Sequence, residues 1–84
     1  PGLSLAYYYR GLTAVHLHEW SDAANDFRRY LESPVLYPPR KTLAHGYYGM
    51  SLARLREFRA SLYHLTLARQ GRPEYWPDVS TALL

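Results

Sequence analysis

Residues 11–27, GLTAVHLHEWSDAANDF, and residues 49–65, GMSLARLREFRASLYHL, decide the fold, because the same landmarks recur in both at one spacing. Four pairs of residues lie 38 positions apart: Gly11 and Gly49, Trp20 and Phe58, Ala23 and Ser61, and Phe27 and Leu65. A period between 20 and 50 residues is typical of stacked structural units. The sequence therefore predicts one unit that occurs twice.

The apolar side chains around these landmarks predict four α-helices in two similar pairs. Residues 20–32 and 57–70 each carry one apolar face at helical spacing, which is typical of amphipathic helices. Residues 3–17 and 40–55 carry apolar side chains on several faces, which indicates helices that are covered on more than one side. No stretch alternates with a period of two, so the expected fold class is all-α.

Gly11 and Gly49 fall in the interior of predicted helices, where glycine costs about 1 kcal/mol relative to alanine. The same exception at two equivalent positions predicts a packing role, because a residue without Cβ lets the two helices of a pair approach closely. Tyr7, Tyr8 and Tyr9 sweep most of a helical turn, so we expect at least one of them to face the core.

The ends of the helices are marked by proline and glycine. Residues 33–40, SPVLYPPR, contain three prolines that end the second helix, and Pro39 suits the first turn of the third. Ser21 or Trp20 is expected to cap the second helix. Gly71, with Pro73 beyond it, indicates the end of the fourth helix.

The chain of 84 residues is expected to form one small domain, or a fragment of a longer protein, with a first repeat over about 4–34 and a second over about 40–73. Residues 74–84, EYWPDVSTALL, become apolar toward their end. They are interpreted either as a capping helix over about 76–84 or as the start of a truncated further repeat. Both interpretations stay open.

These residues resemble the tetratricopeptide repeat (TPR), a helix-turn-helix unit with a small residue in its first helix and a closing proline. The first unit matches at Gly11, Trp20, Ala23, Phe27 and Pro34, and the second at Gly49, Phe58, Ala68 and Pro73. Ser61 and Leu65 depart from the usual Ala and aromatic residue. The resemblance implies antiparallel helix pairs stacked as a short right-handed solenoid.

The period exceeds the family's usual value of about 34 residues, and the difference falls in VLYPPR, residues 35–40. This lengthened connection is similar to the repeats of bacterial cell-envelope proteins of the Tol-Pal and outer-membrane-assembly groups. The resemblance leaves the compartment open between bacterial cytoplasm and periplasm.

In TPR folds the first helix of each pair lines a concave groove. The resemblance therefore implies a partner-binding groove lined by Tyr8, Leu12, Val15, His16, Met50 and Arg54, with Gly46 and Ala53 beside them. TPR groups that clamp a terminal carboxylate carry Lys and Asn on this face, whereas this chain carries Leu12, Met50 and Ala53. We therefore expect a non-enzymatic adaptor that binds an extended or helical protein segment with apolar anchors.

Two other functions compete with this one. Residues 38–72 contain seven Arg or Lys residues against Glu57 alone, which is compatible with a nucleic-acid-binding module. The residues that would carry it are Arg40, Lys41, Arg54, Arg56, Arg59, Arg69 and Arg72. The second competing function is that of a structural repeat whose tyrosine-rich faces form a homodimer, because two repeats are too few to cover their own ends.

Metal and enzyme chemistry have little support in the residues. The chain has no cysteine, which excludes disulfides and thiolate zinc sites. His16 and His18 are two residues apart on a predicted helix and point in different directions, so no metal site or other cofactor is expected. The serines lack the glycine context of a nucleophile elbow, so no catalytic residue is assigned. No apolar stretch approaches the roughly 20 residues of a membrane helix.

Overall fold

The computed structural model describes residues 2–34 and 37–71, and these residues form four α-helices. The helices are α1 (Gly2–His16), α2 (Trp20–Leu31), α3 (Pro38–Arg54) and α4 (Phe58–Gly71). No strand occurs within these two ranges, which confirms the all-α class. None of the described helices is long and apolar enough to cross a membrane.

The helices pack as two hairpins, α1 with α2 and α3 with α4. Successive residues along α1 contact residues that lie progressively earlier in α2. The hydroxyl groups of Ser4 and Ser33 are 2.8 Å apart, and the rings of Tyr8 and Tyr30 are 5.2 Å apart. Farther along α1, Gly11 meets Phe27. The two helices are therefore antiparallel.

The turns of the two hairpins have the same backbone geometry at a spacing of 38 residues. His18 and Arg56, in equivalent positions, both have positive φ, 60° and 67°. Four backbone hydrogen bonds recur in the two turns: Leu17 to Thr13 and Leu55 to Ser51, His18 to Val15 and Arg56 to Ala53, Glu19 to Ala14 and Glu57 to Leu52, and Ala23 to Glu19 and Ser61 to Glu57. The hairpins therefore repeat in the register that the sequence predicts.

The two interior glycines occupy the closest approach of each helix pair, which confirms their predicted role. A Cβ on Gly11 would lie 2.9 Å from Cε2 of Phe27, and a Cβ on Gly49 would lie 2.8 Å from Cγ of Leu65. In the second hairpin the buried Ser61 hydroxyl also donates to the carbonyl oxygen of Gly49, at 2.6 Å. Close packing thus outweighs the low helix propensity of glycine.

The core lies mainly between α1, α2 and the N-terminal half of α3. The buried members of its main cluster are Tyr8, Ala14, Ala23, Phe27, Tyr30 and Ala44. The Phe27 ring stacks on Tyr47 of α3 with centroids 5.6 Å apart, so α2 joins the two hairpins. A smaller buried set belongs to the second hairpin and includes Leu52, Leu65 and Ala68.

The first hairpin also buries a carboxylate. Asp26 is 2% exposed and accepts two hydrogen bonds from the Arg10 guanidinium, at 2.7 and 3.0 Å. This bidentate pair satisfies both carboxylate oxygens. In the register of 38 residues, Tyr48 and His64 of the second hairpin stand where Arg10 and Asp26 stand in the first.

The N-terminal end of α2 differs from the sequence prediction. The N-cap of α2 is Glu19, without a side-chain capping bond, so the prediction of Trp20 or Ser21 as the cap was wrong. Helix α3 begins at Pro38 and has Pro39 in its first turn, as predicted, because N–H groups in the first turn have no helical partner and proline is tolerated there. Helix α4 is described as far as Gly71, so its predicted end there stays a prediction.

Residues 35 and 36 of the interhelical connection lie outside the described residues. The same holds for Arg72, Pro73 and the segment 74–84, which is predicted to be a cap or a truncated repeat.

Candidate functional site

A cleft of about 700 Å³ opens where α2, α3 and α4 meet. The C-terminal end of α2 forms one wall, the N-terminal half of α3 forms the floor, and α4 forms the other wall. Its lining residues are Arg28, Leu31, Glu32, Pro38, Lys41, Thr42, His45, Tyr48, Tyr63, His64 and Leu67. The cleft is therefore apolar and aromatic at its base, with charged side chains at its edge.

Two histidines from different helices meet in this cleft. His45 of α3 and His64 of α4 have their Nδ1 atoms 2.9 Å apart, and their rings lie nearly parallel with centroids 5.1 Å apart. Tyr48 and Tyr63 pack edge-on against His64, at 4.5 and 5.1 Å between ring centroids. One imidazole must carry its hydrogen at Nδ1 and donate it to the lone pair of the other.

Both imidazoles of this pair are neutral at pH 7. Burial, followed by the neighbouring His64 and Lys41, lowers the pKa of His45 to about 4. Burial also lowers the pKa of His64 and raises that of the Tyr48 hydroxyl. The base of the cleft is therefore uncharged, and the charged groups of the cleft lie at its rim.

The rim of the cleft is cationic on balance. Arg28 of α2 is engaged by its own helix, because it contacts Glu32 at 3.3 Å and Asn25 at 2.9 Å. Lys41 of α3 also lines the cleft and is exposed. A bound carboxylate near Lys41 would find a cation there, while the ring of Tyr63, 63% exposed, offers apolar contact area.

The residues of the predicted groove have unequal exposure. Tyr8 is 5% exposed and belongs to the core, where Phe27 and Tyr30 pack against its ring. Leu12 and Val15 are half-buried against the same core. Tyr8 therefore offers no surface to a partner in this structure.

The other predicted groove residues remain accessible to different degrees. Met50 is half-buried, and His16 is exposed at the C-terminal end of α1. Arg54 is exposed and its guanidinium lies 5.3 Å above the ring of Trp20, which in turn stacks on His18. His16 and Arg54 are thus the groove residues that remain open for testing.

The basic residues of the nucleic-acid alternative are distributed over several surfaces. Arg40 lies over the rings of Tyr8 and Tyr37 at the N-terminal end of α3, whereas Arg54 covers Trp20 at its C-terminal end. Arg59 and Arg69 are ten residues apart in α4, which places them about 80° apart around the helix axis.

Metal and nucleophile candidates were also located. No group of three or more His, Cys, Asp or Glu side chains that could hold a metal ion occurs in residues 2–34 and 37–71. Ser51 and Ser61 donate to the backbone carbonyls of Tyr47 and Gly49, and Ser4 pairs with Ser33. The Ser51 hydroxyl thus bonds within its own helix, whereas the hydroxyls of Ser61, Ser4 and Ser33 join the two sides of a hairpin.

Sequence reasoning missed the histidine pair, because His45 and His64 are 19 residues apart and show no ligand spacing. A signal was present in the repeat register, since Tyr48 and His64 are equivalent to Arg10 and Asp26. Recognising that Arg10 pairs with Asp26 would have placed His64 against α3. Comparisons with family models, curated proteins and solved structures find no match for this chain.

Proposed function

We propose that this chain is a TPR-like adaptor, a short right-handed solenoid of two repeats that binds a segment of a partner protein. The observation that carries the proposal is the recurrence of one hairpin, with its turn and its glycine contact, at a spacing of 38 residues. Repeated helix pairs leave elongated surfaces between neighbouring units, and such surfaces suit polypeptide segments.

We place the segment in the cleft between α2, α3 and α4. Leu31, Pro38 and Leu67 supply apolar contact along the cleft, and Tyr63 supplies an exposed ring. Lys41 at the rim favours an acidic residue in the partner. The partner is therefore an extended segment in which an apolar side chain neighbours a carboxylate.

The experiment uses two arrays of short synthetic peptides that share their apolar positions, one with Asp or Glu and the other with Lys at the variable charged positions. The labelled chain is expected to bind members of the acidic array and to bind the basic array much more weakly. Lys41→Glu should reverse this preference, because it inverts the charge at the rim of the cleft while the exposed position keeps the fold intact.

Arg54→Glu and His16→Glu provide the matched controls, since both residues are exposed and belong to the predicted groove rather than to the cleft. They should leave binding unchanged. Loss of binding in these two variants, with Lys41→Glu unaffected, would move the site to the groove of α1 and α3. If the chain binds neither the acidic nor the basic array, the peptide-adaptor proposal is refuted.

A further inference from the structure

Helix α4 exposes two of the positions with which α2 contacts the next hairpin, whereas Leu65, the equivalent of Phe27, is buried. Trp20 and Phe27 of α2 contact Arg54 and Tyr47 of α3, and Ala24 on the same face is only 9% exposed. The α4 residues equivalent to Trp20 and Ala24 are Phe58 and Leu62, which are 54% and 49% exposed.

Helix α1 exposes the complementary positions. In the second hairpin, Ala44 is fully buried in the core cluster and Tyr47 stacks on Phe27 of α2. Their equivalents in α1 are Ala6, which is exposed, and Tyr9, which is 55% exposed. Leu3 and Leu5 extend this open surface at the start of α1, with exposures of 67% and 37%.

The two end faces therefore correspond to the two sides of the internal contact between α2 and α3. We infer that two copies of this chain associate head to tail, with α1 of one copy on α4 of the next, as α3 lies on α2. Because the two faces differ, the contact is heterologous, and each added copy exposes a new end. The occupant is a second copy because both faces belong to this chain and share its 38-residue register.

The test measures solution mass by light scattering, from about 10 µM to about 1 mM, a range that covers weak association through a small interface. The mass should rise from the 9.8 kDa of the monomer toward and beyond twice that value. Leu62→Glu and Ala6→Glu each place a charge on one face, and each variant alone should stay monomeric.

An equimolar mixture of these two variants separates the possible arrangements. Each variant keeps the face that the other has lost, so the mixture should form a dimer that cannot extend. Ala60→Glu is the matched control on α4, because its equivalent in α2, Asp22, is exposed even where α3 covers that helix. This variant should associate like the parent chain, and circular dichroism should show equal helix content in all variants.

Two results would overturn the inference. One is a monomer at every concentration, as expected if residues 72–84 of the same chain cover α4. The other is association that Leu62→Glu abolishes and Ala6→Glu leaves intact, which would indicate a symmetric contact through α4 alone. The peptide experiment on the cleft uses different residues, so its outcome stays independent of this one.

Discussion

Gly11 of α1 lies directly against the ring of Phe27 of α2, so closely that a Cβ atom on residue 11 would stand 2.9 Å from Cε2 and 3.0 Å from Cζ. Phe27 is fully buried and stacks on Tyr47 behind it. The ring therefore has little room to withdraw. The same relationship recurs between Gly49 and Leu65, where the backbone nitrogen of Leu65 is also within 3.1 Å.

Replacement of either glycine by alanine should destabilise the chain. Helix propensity alone would favour Gly11→Ala or Gly49→Ala by about 1 kcal/mol, but overpacking costs typically 1–3 kcal/mol. We expect a net loss of about 1 kcal/mol for Gly11→Ala and a larger loss for Gly49→Ala, because backbone atoms cannot give way. Urea unfolding measures the change in the free energy of unfolding for each variant. A gain in stability would show that helix propensity outweighs packing.

The ion pair between Arg10 and Asp26 should matter more than the pair between Arg28 and Glu32. Asp26 is 2% exposed and both of its oxygens bind Arg10, so Arg10→Ala leaves a buried carboxylate without its partner. Arg28→Ala removes a pair whose two side chains are 47% and 63% exposed. Thermal unfolding should show a clearly lower Tm for Arg10→Ala and little change in Tm for Arg28→Ala. Equal effects would contradict this ranking.

Glycine in the two turns should stabilise the chain. His18 and Arg56 have φ of 60° and 67°, a region that costs a side-chain-bearing residue roughly 1 kcal/mol. Arg56→Gly should therefore raise the free energy of unfolding by up to about 1 kcal/mol. His18→Gly should gain less, because it also loses the stack on Trp20. Arg56→Ala keeps the strained backbone and serves as the control without a gain.

The histidine pair should make stability decrease in weak acid. The pKa of His45 is about 4 in the folded chain, against an ordinary value near 6.5. As the pH falls from about 6.5 toward 4, the unfolded chain takes up a proton that the folded chain does not, so unfolding becomes more favourable. Above pH 7 the pair has no such effect, since both states are neutral.

The size of this effect follows from the shift. A change of this magnitude corresponds to at most about 3 kcal/mol, and solvent screening at a half-buried site reduces it to on the order of 1–2 kcal/mol. Urea midpoints at pH 7.5 and pH 4.5 should differ less in His45→Gln than in the parent chain. His16→Gln, at an exposed position, should behave like the parent. An unchanged difference in His45→Gln would rule out this origin.

Local features of the sequence were sufficient to predict the helices. The spacing of Phe27 and Leu31 and the prolines before residue 40 act over a few residues, so the positions of the described helices follow closely from the sequence. The caps were harder to predict. Glu19 precedes α2 without any capping bond, and a residue that makes no bond leaves no signal in its side chain.

The sequence by itself determined an all-α chain, the 38-residue register and the need for glycine at positions 11 and 49, because helix periodicity, proline and the missing Cβ act locally. The tertiary structure alone decided that Tyr8 lies inside and Tyr9 outside, and that His45 meets His64. Those outcomes depend on the rotation and crossing of packed helices. A rotation of one residue, about 100°, exchanges a buried side chain for an exposed one.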